Sequence, residues 1–373
     1  MEIVQNGEGK TARIKTRKWA DMHHHFREGK MLKLIAPMVR KRFAIAVAMP
    51  NLPEPTTTSG AMTEYRERIL SETREDEGGN TNFQCLSTLY LTDTMDLGEV
   101  VKSMSLGAVG VKYYPPGLTT NSESGVQNPA SMWTRGTIPY LVLSFLSTSG
   151  KVLLLHAADG FDEKKNEIDP FDQEKHFIRK TLPRIIDAHS DLKISVEHLS
   201  SRAGVDFLRK HGGSRLGCSI TPQHLLCDRR DLFRGGFRPH NFWWPIFGRE
   251  EDRDALREFV KEGRGYVYAG TDSAPHPISE KEKDGCKGGV MVAHAAVEFY
   301  LEAFEKMDAL DERLENFGCI NGPRFYGLEP SKEEITFERR KRVLPTRFTF
   351  NKEGSEIVIR PFRAGEKINW QLV

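Results

Sequence analysis

Short apolar runs recur along this chain with longer amphipathic stretches between them, and that alternation limits the fold more than any single motif does. The runs are residues 43–49 (FAIAVAM), 83–91 (FQCLSTLYL), 108–114 (AVGVKYY), 151–157 (KVLLLHA), 193–199 (KISVEHL), 216–221 (LGCSIT) and 266–271 (YVYAGT). They are rich in β-branched and aromatic residues, and several are apolar throughout, as strands buried on both faces should be. A weaker extended segment ahead of His23 brings the expected number to eight.

Helical patterns fill the gaps. Residues 63–73 are charged and amphipathic, and their pattern stops near Gly78-Gly79. Residues 171–189 carry Phe177, Ile178, Leu182, Ile185 and Ile186 at helical spacing, residues 250–262 run into Gly263, and residues 290–306 read as one apolar-faced helix. Strands alternating with helices predict an α/β chain folded as a right-handed (β/α)8 TIM-type barrel. The rival architecture, a doubly wound open sheet, lacks support because no Gly-rich dinucleotide fingerprint follows the first strand. Residues 331–373 change character, with runs 347–350 and 356–362 alternating apolar and polar residues near Pro345 and Gly365. The expected division is a barrel catalytic domain over 1–330 and a small strand-rich C-terminal extension over 331–373, packed on the barrel and against the N-terminal segment.

A length of 373 residues suits one large barrel with additions. The net charge of +2 gives no electrostatic case for a nucleic-acid or membrane partner. No run approaches the ~18 apolar residues of a membrane span, and residues 1–18 are polar and basic, with no apolar stretch for a signal peptide. Cys85, Cys218, Cys227, Cys286 and Cys319 are scattered and form no CxxC pair. A cytoplasmic, reducing compartment is therefore expected, with no disulfide framework and no thiolate metal site.

In such a barrel the chemistry sits at the C-terminal strand ends. The first expected strand ends in His23-His24-His25, with Arg27 two places on. In extended backbone His23, His25 and Arg27 share one face, and His24 points the other way into the barrel wall. The second strand ends in Met49-Pro50-Asn51, the fifth in His156, the sixth in His198 and the eighth in Asp272. A lone strand-end histidine is more often structural than a ligand, and Asp272 before Ser273 and Pro275 could serve only as a cap. The coincidence at one end of several strands is what points to a site. Lys112 stands inside a buried strand, where lysine is costly. Burial favours its neutral amine, which can take up carbon dioxide to become a metal-bridging carbamate. The other readings are a lysine snorkelling to the barrel mouth or one paired with Asp272. After Lys112, residues 114–125 are rich in turn formers and read as a loop over the mouth, with Thr119 and Thr120 offering hydroxyls.

These motifs resemble a known family. HxHxR at 23–27, MPN at 49–51, GVKYYP at 110–115, TTN at 119–121, Glu197-His198, TPQHL at 221–225, GTDSAPH at 270–276, NGPRFYGL at 321–328 and AGEKINW at 364–370 together resemble the shorter, single-purpose dihydroorotases of the amidohydrolase superfamily. The resemblance implies two Zn2+ ions, one on His23, His25 and Asp272 and the other on His156 and His198, bridged by carboxylated Lys112 and a hydroxide. It implies Asp272 as general acid and base, and Arg27, Asn51 and His276 on the substrate carboxylate. Thr119 and Thr120 would close as a lid, with Trp244 and Gly288 also at substrate-binding positions. It further implies a homodimer and a small-molecule substrate, N-carbamoyl-L-aspartate or L-dihydroorotate, in pyrimidine synthesis. The chain departs from the family pattern at Ala157-Ala158, where Gly-Glu is usual, and at Trp243-Trp244, where two indoles threaten to reshape the pocket. The rival activities are another cyclic amidohydrolase, of dihydropyrimidinase, hydantoinase or allantoinase type, and a non-catalytic scaffold. Scaffolds typically lose ligands, and this chain keeps the set. His211 and His294 are expected to be structural, His224 and His240 to support the site, and Lys164-Lys165 to be solvated.

Overall fold

The computed structural model describes residues 1–7, 9, 11–74, 82–352 and 355–373. Two N-terminal strands, β1 (Glu2–Gln5) and β2 (Thr11–Arg17), precede the barrel. The barrel strands are β3 (Trp19–His24), β4 (Phe43–Ala48), β5 (Gln84–Tyr90), β6 (Ala108–Tyr113), β7 (Val152–Leu155), β8 (Lys193–Val196), β9 (Leu216–Ile220) and β10 (Val267–Ala269). They form one eight-stranded sheet whose neighbours follow chain order, all parallel. A consecutive parallel order requires a crossover after each strand. Helices supply most of these, among them Gly29–Arg42, Leu97–Ser105, Ile138–Ser149 and Arg202–His211. In β7, Val152 and Leu154 join the apolar cluster that also holds Met22, Val47 and Tyr268, while Leu153 and Leu155 join the larger core with the helices. The alternation of strand faces therefore carries His156, the next residue on the Val152–Leu154 side, inward.

The barrel closes between β3 and the segment after β10. The Asp272 amide donates to the His23 carbonyl at 2.9 Å, and the His25 amide donates to the Ser273 carbonyl at 3.2 Å. Asp21 strengthens the seam. Its buried carboxylate accepts from the Thr271 amide at 2.7 Å, the Thr271 hydroxyl at 2.6 Å and His24 Nδ1 at 2.8 Å. A charge so enclosed is tolerated because its oxygens are satisfied.

Three expectations about helices need correction or qualification. The helix expected over 63–73 begins earlier, at Ser59–Glu72, because the Thr58 hydroxyl caps it by accepting the Ala61 amide. Its expected stop near Gly78-Gly79 lies outside the described residues. The helix expected over 290–306 is confined to Ala296–Lys306. Val290 instead bridges Ser273 in parallel, and the Ser273 hydroxyl accepts the Val292 and Ala293 amides, so this apolar run lines the seam. A short apolar run does not distinguish these two states by periodicity.

The C-terminal residues form β11 (Glu334–Val343), β12 (Phe348–Lys352), β13 (Ser355–Ile359) and β14 (Lys367–Leu372). β11 pairs with both β2 and β14, giving an antiparallel sheet ordered β1-β2-β11-β14, while β12 and β13 make a hairpin. Among the described residues, no helix is long and apolar enough to cross a membrane.

Candidate metal centre and active site

The strand ends place most of the expected residues around one small cavity. His23, His25, Arg27, Asn51, Thr119, Thr120, His156, His198, Trp244, Asp272 and Gly288 all line it, joined by Tyr114, Ala274 and Gly289, which sequence reasoning did not single out. Lys112 is fully buried beside it, and His276 enters through Arg27.

His23, His25 and Asp272 form a group whose ligand atoms all lie within 4.8 Å of one another. Asp272 Oδ1 is 3.1 Å from His25 Nε2 and 3.4 Å from His23 Nε2. His23 is aimed by Glu197, whose Oε2 accepts from Nδ1 at 2.6 Å and leaves Nε2 facing Asp272. Glu197 is held in turn by the hydroxyls of Ser219, at 2.8 Å, and Ser195. Sequence reasoning saw Glu197 only as part of a motif. A carboxylate on the far nitrogen of a metal-binding histidine fixes its tautomer and ring orientation.

The second histidine pair adjoins the first. Ring centroids of His156 and His198 are 4.5 Å apart, and His198 is 5.0 Å from His23. His156 Nε2 and His198 Nδ1 are buried with no hydrogen-bond partner. Burial, reinforced by neighbouring cationic groups, holds the pKa values of His25, His156 and His198 well below the usual range. The rings are therefore neutral and carry lone pairs. Neutral imidazoles with one carboxylate suit a borderline divalent metal, and orphaned buried nitrogens are what such a metal would satisfy. The residues fit a metal.

Burial also lowers the Lys112 pKa to about 7, against the attraction of Glu197 and Asp272. Its Nζ donates to the Tyr113 carbonyl at 3.2 Å and lies 4.4 Å from the Tyr114 ring centroid. No ion pair joins it to Asp272. The amine is thus dry, and near neutral pH a substantial fraction of it is uncharged. Burial raises Asp272 to about 6 despite His23, Lys112 and Arg27 nearby.

The backbone departs from strand geometry where the site begins. Arg27, His198 and Asp272 have φ of 61°, 41° and 46°. Left-handed backbone in non-glycine residues costs on the order of 1–3 kcal/mol each and gathers at functional sites. For Arg27 it overturns the expected simple alternation. β3 ends at His24, and the guanidinium reaches the cavity through a turn, donating to the Pro275 carbonyl at 3.2 Å and to His276 Nε2 at 3.0 Å. Burial and then Arg27 depress the His276 pKa to about 2, so this ring is neutral and accepts. His24 does point away. Its Nδ1 donates to Asp21, and its ring packs on Phe26 at 4.5 Å.

The loop after β6 lies over the mouth. Thr120 donates to the Gly288 carbonyl at 3.3 Å, and its own carbonyl accepts from Asn51 Nδ2 at 3.0 Å. Asn121 Nδ2 donates to the Asn51 carbonyl at 3.0 Å. Thr119 Oγ1 is buried with no partner. The two indoles separate. Trp244 lines the cavity, whereas Trp243 is buried against Phe247, ring centroids 4.0 Å apart, so only one of them shapes the pocket. Ala157 and Ala158 are buried, and Glu174 lines a second small cavity with His156, Ala158 and Trp244. His224 stays within the wall, where Nδ1 meets Thr221 Oγ1 at 2.8 Å and Nε2 the Pro245 carbonyl at 3.1 Å. His240 pairs with Glu282 at 2.7 Å, His211 is exposed, and His294 is buried with both ring nitrogens unpartnered.

The fold and this site define a metal-site (β/α)8 hydrolase of the cyclic amidohydrolase class. No family model matches the chain. Curated relatives do. It is 39% identical over 355 residues to a dihydroorotase of Alkalilimnicola ehrlichii, covering 95% of this chain and 97% of that one. It is 38% identical to a dihydroorotase of Erythrobacter litoralis over 97% of this chain and 99% of that one. Among solved structures, dihydroorotase from Saccharomyces cerevisiae in complex with 5-fluoroorotic acid superposes with a TM-score of 0.85 at 28% identity, covering 97% and 98% of the two chains. An L-hydantoinase from Arthrobacter aurescens, at 17% identity and a TM-score of 0.75 over 97% of this chain and 83% of its own, shares the fold. The chain belongs to the dihydroorotase family.

Proposed function

We propose that this chain interconverts N-carbamoyl-L-aspartate and L-dihydroorotate in pyrimidine synthesis, using two zinc ions. The observation that carries the reading is the convergence of His23, His25, His156, His198 and Asp272 on one cavity with a cationic Arg27 end and a dry Lys112 beside it. His23, His25 and Asp272 would hold one metal and His156 and His198 the other, with Lys112, as its carbamate, supplying a further anionic ligand. When bound, the metals lower the pKa of a water and polarise the carbonyl it attacks.

The chain's own residues do the rest. Asp272 takes the water's proton and delivers it to the ring nitrogen as the C–N bond breaks. In the cyclising direction it removes a proton from the ureido nitrogen. Arg27 presents a planar fork to the substrate carboxylate, with His276 braced against it. The Thr119 hydroxyl, buried and unpartnered, is free for the substrate, and the Thr120–Asn51–Asn121 contacts hold the loop closed against water. A cytoplasmic, homodimeric enzyme completes the reading, supported by the scattered cysteines and by family habit.

The test is to measure bound metal by elemental analysis and follow dihydroorotate absorbance with and without chelator. About two zincs per chain and chelator-sensitive turnover are expected. Two zincs without turnover would remove the substrate, and no metal would remove the mechanism. Lys112→Ala should abolish turnover, with partial rescue by a short carboxylic acid.

A further inference from the structure

Two loops from different parts of the chain contribute to the cavity wall, and one buried side chain ties them together. Trp244 comes from the loop after β9, and Gly288 and Gly289 come from the loop after β10. Neither stretch is regular secondary structure, and Gly288 and Gly289 are crowded. A Cβ on Gly288 would lie 2.7 Å from Trp244 Cδ1, and one on Gly289 would lie 2.4 Å from the Ala274 carbonyl. Such a wall needs its backbone fixed from behind.

Lys281 ends the short helix Ile278–Lys281 and is 2% exposed. Its Nζ donates to the Phe242 carbonyl at 2.7 Å, the Lys287 carbonyl at 2.9 Å and the Gly289 carbonyl at 2.9 Å. An ammonium has three N–H donors, and here all three are spent on backbone. Among the described residues no carboxylate pairs with it, and its three donors all go to the loops. The Gly289 amide adds a direct tie to the Phe242 carbonyl at 3.0 Å. The Lys287 amide returns to the Glu280 carbonyl at 3.0 Å.

We infer that Lys281 is a positioning residue for substrate binding, which clamps the 242–244 and 287–289 segments into one rigid wall and so sets where Trp244 and Gly288 meet the substrate ring. This inference rests on the proposed activity for its substrate but not for its geometry. The lysine lies outside the metal ligands, so removing it leaves the metal in place. Loops set adrift bind substrate less well before they slow the chemistry.

The experiment compares Lys281→Met with wild type and with Lys283→Met, a control on the same segment whose side chain is 47% exposed. In Lys281→Met, the KM for dihydroorotate should rise about tenfold or more with kcat changed by less than about threefold and zinc content unchanged. Amide hydrogen exchange should quicken in 242–244 and 286–289 and stay at wild-type rates in the barrel strands. If Lys281→Met does not fold, Lys281→Gln, which keeps two donors, takes its place with the same readouts. A KM within about twofold of wild type, with unchanged exchange in both segments, overturns the inference. Exchange quickened throughout the protein overturns it too, since that marks a merely structural residue. If wild type fails to turn over dihydroorotate, the proposed activity fails, and local exchange still decides the role of Lys281.

Discussion

His24 and His25 are adjacent in the chain and opposite in surroundings. His25 Nε2 faces Asp272 Oδ1 at 3.1 Å across the cavity, whereas His24 is enclosed by Asp21, Thr271 and Phe26 in the wall. His25→Ala should therefore lose zinc, read by elemental analysis, whereas His24→Ala should keep it. The second change should instead lower stability by about 2–3 kcal/mol, since it leaves the Asp21 carboxylate short of a donor and opens a cavity beside Phe26. Glu197 acts one bond further out. Glu197→Ala should weaken zinc affinity about 10- to 100-fold in a chelator competition, because His23 loses the partner that turns Nε2 toward the metal. The gathering of His23, His25, His156, His198 and Asp272 around one cavity was readable in the sequence because strand-end position and residue type coincide. Glu197, Asp21 and Lys281 were not readable in these roles. Their partners lie up to 250 residues away in the chain, and a buried carboxylate or lysine carries no local signature of what it holds.

At the scale of elements, the helix Ala296–Lys306 is pinned to its neighbours by a buried charge cluster. Glu298 accepts from Arg42 Nε at 2.8 Å and from a terminal Arg42 nitrogen at 2.6 Å, and from Arg342 at 3.0 Å. This links the helix Gly29–Arg42 to β11 through one carboxylate. Burial acts to raise the Glu298 pKa, but the two guanidiniums outweigh it, and the group titrates below its ordinary value of 4.5. A depressed carboxyl contributes stability that is present above its unfolded value and is lost as pH falls through the folded one. Glu298→Ala should cost about 3–5 kcal/mol in urea unfolding at pH 7, because it leaves buried arginine unpaired. The gap from wild type should shrink as pH drops below 4.5 toward the folded value. The helix was visible in the sequence only as part of a longer apolar run. Its true start depends on Ser273 capturing the two amides ahead of it, a contact no local pattern contains.

At the scale of the whole molecule, both ends of the chain build one sheet. β2 from the N-terminus pairs with β11 from the C-terminal residues, and β14 completes that sheet while packing toward the helix Ala296–Lys306. Arg363 and Trp370 carry this contact through Glu302 and Glu305. Deleting residues 334–373 should therefore lower the midpoint of thermal unfolding by well over about 5 °C, or prevent soluble expression. β2 would become an unpaired edge, and Phe337, Ile368 and Trp370 would no longer cover the core. A truncated chain with an unchanged midpoint would show that the barrel stands without the sheet.

The number, order and buried character of the barrel strands were determined by the sequence alone, because apolar periodicity is a local property and consecutive parallel strands leave few arrangements. The same logic placed His23, His25, His156, His198, Lys112 and Asp272 at one end of the barrel. Tertiary structure alone decided how the barrel seals, with Asp21 replacing part of a strand ladder between β3 and β10. It decided that Trp243 is core and Trp244 is pocket, and that Lys281 binds three carbonyls. Each of these depends on which atoms meet across long stretches of chain, and burial then sets their energies by removing the water that would otherwise have satisfied them.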